Sequence, residues 1–300
     1  MRLLDKLLTR RMINDHEYHL PTVMQLLNDS QLVVADNVSE YYAKTRMTVD
    51  SEASDFPNVM LPFDLTFVDM RAYGYREQGD IDEFGVLLKL TEPQSTPSSF
   101  LTQYPELVAP EVKAHLVAVC FLGYKDGKLD MPVTAFLPIG EDYRVIDTST
   151  QAGLKFYFKP NRTFHERSDD EVHQFCLSVI ASAIPRALLT ISLMHCRNVT
   201  VKKETPPTPL SKKHEKRTGR PLLRYHVLQI DHMKQVLERE GHASTEGLKK
   251  ALHICRGHFK HYGKDGKGLL FGKHVATIWT PMHTRGTIEE GVVVKDYNVK

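Results

Sequence analysis

The run from about residue 170 to 196 restricts the fold of this chain more than any other stretch. Phe175, Val179, Ile180, Ile184, Leu188 and Ile191 recur with further apolar residues on nearly every side of a helix. A helix that is apolar all round has to be buried over most of its circumference. His173, Arg186, His195 and Arg197 interrupt or flank the run. A membrane span needs about 18 uninterrupted apolar residues, so the core helix of a globular domain is expected instead. Ser168-Asp-Asp-Glu171 supplies its start, a serine able to cap free N–H groups and a glutamate three residues on to answer it. Pro185 lacks the N–H that an interior position requires and is expected to kink the helix or split it in two.

The preceding residues supply strands. Residues 61–73 alternate in part and are rich in strand formers, and 84–90 forms a second strand across the turn at 74–82. Residues 112–124 and 131–139 flank Lys125-Asp-Gly-Lys128, a hairpin-type turn. Residues 153–158 and 198–203 read as further strands, and 2–14 and 21–28 as helices, the second opening on Pro21. With four prolines, 92–110 reads as a surface loop. The expectation is an α+β N-terminal domain over 1–203, a mixed antiparallel sheet with helices. Residues 204–222, with prolines early and a basic run after them, read as a stiff solvated linker. Residues 223–300 then form a small basic β-rich C-terminal module, with strands at 223–230, 252–262, 275–281 and 292–299 and a helix near 231–240.

The net charge of +2 conceals a strong segregation. Residues 202–224 hold eight Lys/Arg against Glu204 and Glu215, and residues 249–285 hold eight against Asp265 alone. The two stretches carry +6 and +7, which leaves −11 for the rest. Such asymmetry points to an anionic partner, DNA or RNA first and an acidic protein second. The four cysteines are scattered without a C-x-x-C pair, which suits a reducing compartment. The N-terminal leucines are interleaved with charge, unlike a secretory signal, so a cytoplasmic protein with no membrane partner is expected.

No Gly-rich phosphate loop or G-x-S-x-G elbow occurs, so no cofactor is expected. His16-Glu-Tyr-His19 is one residue short of the i, i+4 spacing of a zinc helix, and Asp64 with Glu83 lacks the E-x-K of a metal-dependent nuclease. Cys255, His258 and His261 are three apart, which on a strand points neighbours to opposite faces, so no metal is expected either.

The densest block is Leu252-His-Ile-Cys-Arg-Gly-His-Phe-Lys-His-Tyr262, followed by Phe271-Gly-Lys273 and Trp279-Thr-Pro-Met-His-Thr-Arg-Gly286. Over roughly 252–300 the chain resembles a group of uncharacterised bacterial and phage proteins marked by R-G-H-F, F-G, W-x-P-x-H and R-G. That resemblance implies a family and no mechanism. Strand alternation sends Arg256, His258 and Lys260 one way, and puts Trp279, His283 and Arg285 on one parity of their own segment. Together with Lys273 these residues make the candidate nucleic-acid contact, cations for phosphates and an indole to stack a base. The bland alternative has Phe259 and Trp279 filling the core of the module. A third reading makes His258 and His283 the acid–base pair of a metal-independent ribonuclease, because imidazole titrates near neutral pH.

Overall fold

The structure, a computed structural model, describes residues 1–13, 20–45, 55–75, 80–146, 154–161, 164, 167–230, 251–255, 258–262, 275–280, 283–285 and 287–292. At 20, 21, 45, 251–255, 258, 283–285 and 287–292 it describes the backbone path alone. The chain divides into two compact units, Met1–Met194 with Val201–Leu228, and His195–Thr200 with Gln229–Lys300.

The first unit is an α+β domain built on an eight-stranded mixed sheet. Its strands are β1 (Gln31–Val34), β2 (Thr66–Arg71), β3 (Ile81–Thr91), β4 (Ala114–Tyr124), β5 (Leu129–Ile139), β6 (Tyr157–Pro160), β7 (Val199–Glu204) and β8 (Tyr225–Ile230). They lie in the order β6-β5-β4-β3-β2-β1-β8-β7. From β2 to β6 the sheet is an antiparallel meander, while β1 runs parallel to both β2 and β8. Gly127, at φ +88°, turns the chain between β4 and β5, a backbone conformation that glycine adopts without steric cost.

Helix α5 (Asp169–Met194) packs against β3, β4 and β5. Its start is a reciprocal cap: Glu171 accepts from the Ser168 N–H at 2.8 Å, and the Glu171 N–H reaches Ser168 Oγ at 3.4 Å. The helix is long and apolar enough to cross a membrane, yet 83% of its most apolar window is buried. Pro185 does not split it. Residues Val179–Leu193 are almost entirely enclosed, and burying each large aliphatic side chain contributes about 1.5–3 kcal/mol, which together outweighs the roughly 3 kcal/mol of one interior proline.

The opposite face of the sheet, marked by Phe67, Leu87 and Phe121, is covered by α1 (Leu3–Leu7) and α2 (Leu20–Asp29) through Leu3, Leu4, Leu7 and Leu27. Helix α1 comes this close because two glycines lie beneath it. A Cβ on Gly85 would strike the Phe67 ring and stand 3.0 Å from Leu3 Cδ2. One on Gly123 would stand 2.8 Å from Glu83 Oε2 and 3.0 Å from Leu3 Cδ1.

Several expectations change. The helix expected over 2–14 is only the five residues of α1 where described. Residues 92–110 are not a plain loop. They carry α4 (Ser98–Gln103) and two 3₁₀ turns, and bury Phe100 and Leu107 against Phe136 and Tyr157. Residues 204–222 are not a linker but hold α6 (Thr208–Thr218), with Pro209 in the first turn and Gly219 as a left-handed C-cap at φ +77°. Proline early and glycine late are helix punctuation, a reading that the basic composition obscured. Strand β8 was expected in the C-terminal module, and it joins the first sheet instead, pairing Val33 with His226 and Val34 with Val227.

The second unit is β-rich where described. Strands β10 (His258–Tyr262) and β11 (Ala276–Thr280) pair antiparallel. Strand β9 (Ala251–Cys255) lies between β12 (His283–Arg285), antiparallel, and β13 (Thr287–Val292), parallel. The expected helix near 231–240 and most of the strand at 292–299 lie outside the described residues.

Gly85→Ala is expected to lift α1 off the sheet and cost about 1–3 kcal/mol, the range for overpacking a filled core. A thermal midpoint within 1 °C of the parent chain, read by calorimetry, would refute the close packing described here.

Candidate functional site

Within the second unit the strand register decides where the expected contact residues fall. Phe259 stands opposite Trp279, His258 opposite Thr280 and Lys260 opposite Ile278. Lys260 and Trp279 are thus on opposite faces of the β10–β11 ladder, because opposed residues share a face and neighbours alternate. Trp279 is only 4% exposed, its ring 4.7 Å from that of Phe259. Its backbone is clasped by buried Asn198, whose amide donates to the Trp279 carbonyl at 2.7 Å and accepts from the Trp279 N–H at 3.0 Å. This corrects the expectation of an indole open to a base: Trp279 is a core residue. His283 and Arg285 belong to β12, paired with Cys255 and His253 of β9, and not to the ladder that carries His258 and Lys260. Lys260 is partly exposed, while Arg256 and Lys273 lie outside the described residues.

The other basic stretch is fully described, and it belongs to the first unit. Lys202 and Lys203 stand exposed on β7, at the edge of the sheet, and Lys212, Lys213, Lys216 and Arg217 stand exposed on α6. Arg220 and Arg224 follow, also exposed. At about 100° per residue the four α6 cations occupy an arc of about 140°, and Ser211, His214 and Thr218 lie outside it. That inner side is fastened down. His214 Nδ1–H donates to the Arg220 carbonyl at 2.8 Å, and Ser211 Oγ accepts from the Leu222 N–H at 3.1 Å. Arg220 Nη1 donates to Asn28 Oδ1 at 2.6 Å, and the Leu223 N–H donates to Asp5 Oδ1 at 3.0 Å. Burial pushes the Asp5 carboxyl above its usual range, against the pull of the Leu223 and Arg2 N–H groups and of nearby His214. Among the described residues, none of the eight cations forms an ion pair with a carboxylate. Lys202 and Lys203 also have an ordinary role, since charged residues on an edge strand discourage pairing with other chains.

A second charged assembly was not anticipated. It forms where β1 and β2 end and β3 begins, beside α1 and α3 (Asp36–Thr45). Arg2 Nη1 donates to Asp36 Oδ2 at 2.6 Å, while Asp36 Oδ1 accepts from the Arg71 N–H at 3.0 Å. Arg71 contacts Asp82 at 2.5 Å and Glu83 at 3.7 Å, and Lys6 pairs with Glu83. Asp69 is buried beneath α1 and accepts from the Leu4 N–H at 3.3 Å. Its carboxyl is pushed up to about 7, chiefly by burial and further by Glu83, against the pull of Arg2. On the other face of the sheet Arg186 of α5 is buried with no carboxylate partner among the described residues. Its Nη2 donates to the Tyr73 carbonyl at 2.8 Å and its guanidinium lies 4.7 Å from the Tyr42 ring centroid, while burial lowers its pKa. The signal for these residues was weak, because Arg2, Asp36, Asp69 and Glu83 are far apart along the chain and only strand pairing brings them together. Among the described residues no grouping of His, Cys, Asp or Glu could hold a metal ion.

No protein-family model, curated protein or solved structure matches the chain.

Asp69 sets a pH dependence. In the fold its carboxyl keeps a proton up to a pH near 7, whereas in the unfolded chain it ionises near 3.8. The folded state therefore binds the extra proton between those values. Its stabilising contribution is full below about 4 and is lost as pH rises through 7. Asp69→Asn keeps an acceptor for Leu4 but cannot ionise. Between pH 5 and 8 the parent chain is expected to lose on the order of 2 kcal/mol more unfolding free energy than the variant. Parallel pH slopes in urea titrations of the two would refute this.

Proposed function

We propose that this protein binds nucleic acid through its basic surface. The single observation that carries the reading is that all eight Lys/Arg of residues 202–224 stand exposed, and those on α6 are presented by a helix fastened along its inner side. Phosphate contacts need solvent-facing cations without intramolecular counter-ions, and a backbone already held in place spares the cost of ordering that segment on binding. The surface lies on the edge strand and helix of the first unit. Partly exposed Lys260 of the second unit, and the cations of 249–285 that flank it in sequence, add positive charge along the chain. The resemblance of 252–300 to bacterial and phage proteins is compatible with such a role and adds no mechanism.

A second reading is favoured by one specific feature. Leu210, at the start of α6, is 57% exposed beside the basic stripe. An apolar side chain rimmed by cations suits an acidic protein partner better than a phosphate backbone. The two readings separate on nuclease treatment, which removes a nucleic acid and spares a protein.

Eight cations fall within the range of six to ten phosphate contacts, for which affinity drops about 10³–10⁵-fold between 50 and 200 mM salt. Anisotropy titrations of the intact protein with DNA and RNA across that interval are expected to show such a fall. Absence of binding to either at 50 mM salt would end the proposal.

A further inference from the structure

We infer that the nucleic acid taken by the α6–β7 surface is duplex DNA, gripped through its phosphates without regard to base sequence; this rests on the reading above and narrows it. Charge density is the first argument. From Lys212 to Arg217 the helix rises about 7.5 Å and presents four cations. Duplex DNA carries one phosphate per about 1.7 Å of axis, or roughly four over that distance, whereas one strand carries about two. Four cations are matched by two strands and are in excess over one.

The chemistry beside the stripe agrees. Binding of single strands relies on aromatic side chains that stack unpaired bases. Among the described residues the prominently exposed aromatics are Tyr73 and Tyr143, neither of them on α6, β7 or residues 220–224. Tyr225, next along the chain, is half-buried with the Arg2 guanidinium 5.7 Å from its ring centroid. Double-stranded RNA is addressed largely through its ribose 2′-hydroxyls, which calls for free polar side chains near the phosphate contacts. The two hydroxyls within the basic part of α6 are already engaged, Ser211 with the Leu222 N–H and Thr218 with the His214 carbonyl at 2.9 Å. The outward face holds mainly lysine, a point charge that positions a backbone and carries little base selectivity.

The test titrates the intact protein with a duplex of about 20 base pairs, its separated strands, a second duplex of unrelated sequence and an RNA duplex, over a salt series. The DNA duplex is expected to bind about 10-fold or more tightly than either strand, and the two sequences to agree within about 3-fold. In the variant Lys212→Gln, Lys213→Gln, Lys216→Gln, Arg217→Gln the slope of log affinity against log salt should shrink by about 3 to 4. The companion Lys212→Arg, Lys213→Arg, Lys216→Arg should keep the parent slope, so that a folding defect in the first variant is not mistaken for lost contacts. A separated strand binding as tightly as the duplex, an RNA duplex binding more tightly than the DNA, or a slope untouched by the glutamine variant would each overturn the inference. Failure to bind any of these probes would instead remove the nucleic-acid reading itself.

Discussion

Everything in the first unit is arranged around the burial of one apolar helix. Helix α5 has no hydrophilic stripe wide enough to face water, so its burial between Val179 and Leu193 requires a broad apolar surface. The meander from β2 to β6 supplies that surface, and the alternation of its strands then leaves a second set of side chains on the far side. Phe67, Leu87 and Phe121 belong to that second set, which has to be covered in turn. The N-terminal helices do so, and Gly85 and Gly123 are the price of bringing α1 down close enough. A sheet clothed on both faces follows from the demand of a single segment.

The same geometry explains the two charged assemblies. Lowering α1 onto the sheet brings Arg2 and Lys6 to the ends of the parallel strands, where Asp36 and Glu83 answer them and Asp69 is enclosed. Enclosure of one carboxyl beside another is what holds Asp69 protonated towards neutral pH. The basic surface lies at the opposite extreme of solvation. Its cations are exposed, and α6 is held to the body of the unit through His214 and Ser211, with Arg220 just beyond it bonded to Asn28.

Much of the fold was legible in the residues. The capping serine and glutamate at 168 and 171, the β4–β5 hairpin turning at Gly127 and the apolar breadth of α5 all follow from local chemistry that acts over a few residues. The candidate site was legible only as charge. Counting cations located the stretch 202–224, but composition alone made it a linker, because lysine-rich, proline-bearing sequence has little to bury. Patterning within the C-terminal block joined Trp279 to a wet patch, and the register overturned that. With Phe259 opposite, the indole is in the core and Lys260 is on the other face.

The residues by themselves determined the secondary-structure elements with strong periodicity or clear punctuation, the α+β class, and the segregation of positive charge, because each depends on neighbours along the chain. Tertiary structure alone decided that β8 lies beside β1, that Asp69 is enclosed below α1, that Trp279 is internal and that four of the cations of 202–224 stand on the outer arc of a helix fastened along its inner side. Those outcomes depend on pairings between segments up to about two hundred residues apart, such as Val33 with His226. Each long-range pairing draws its free energy from the whole assembled core, so no local sequence signal could have announced it.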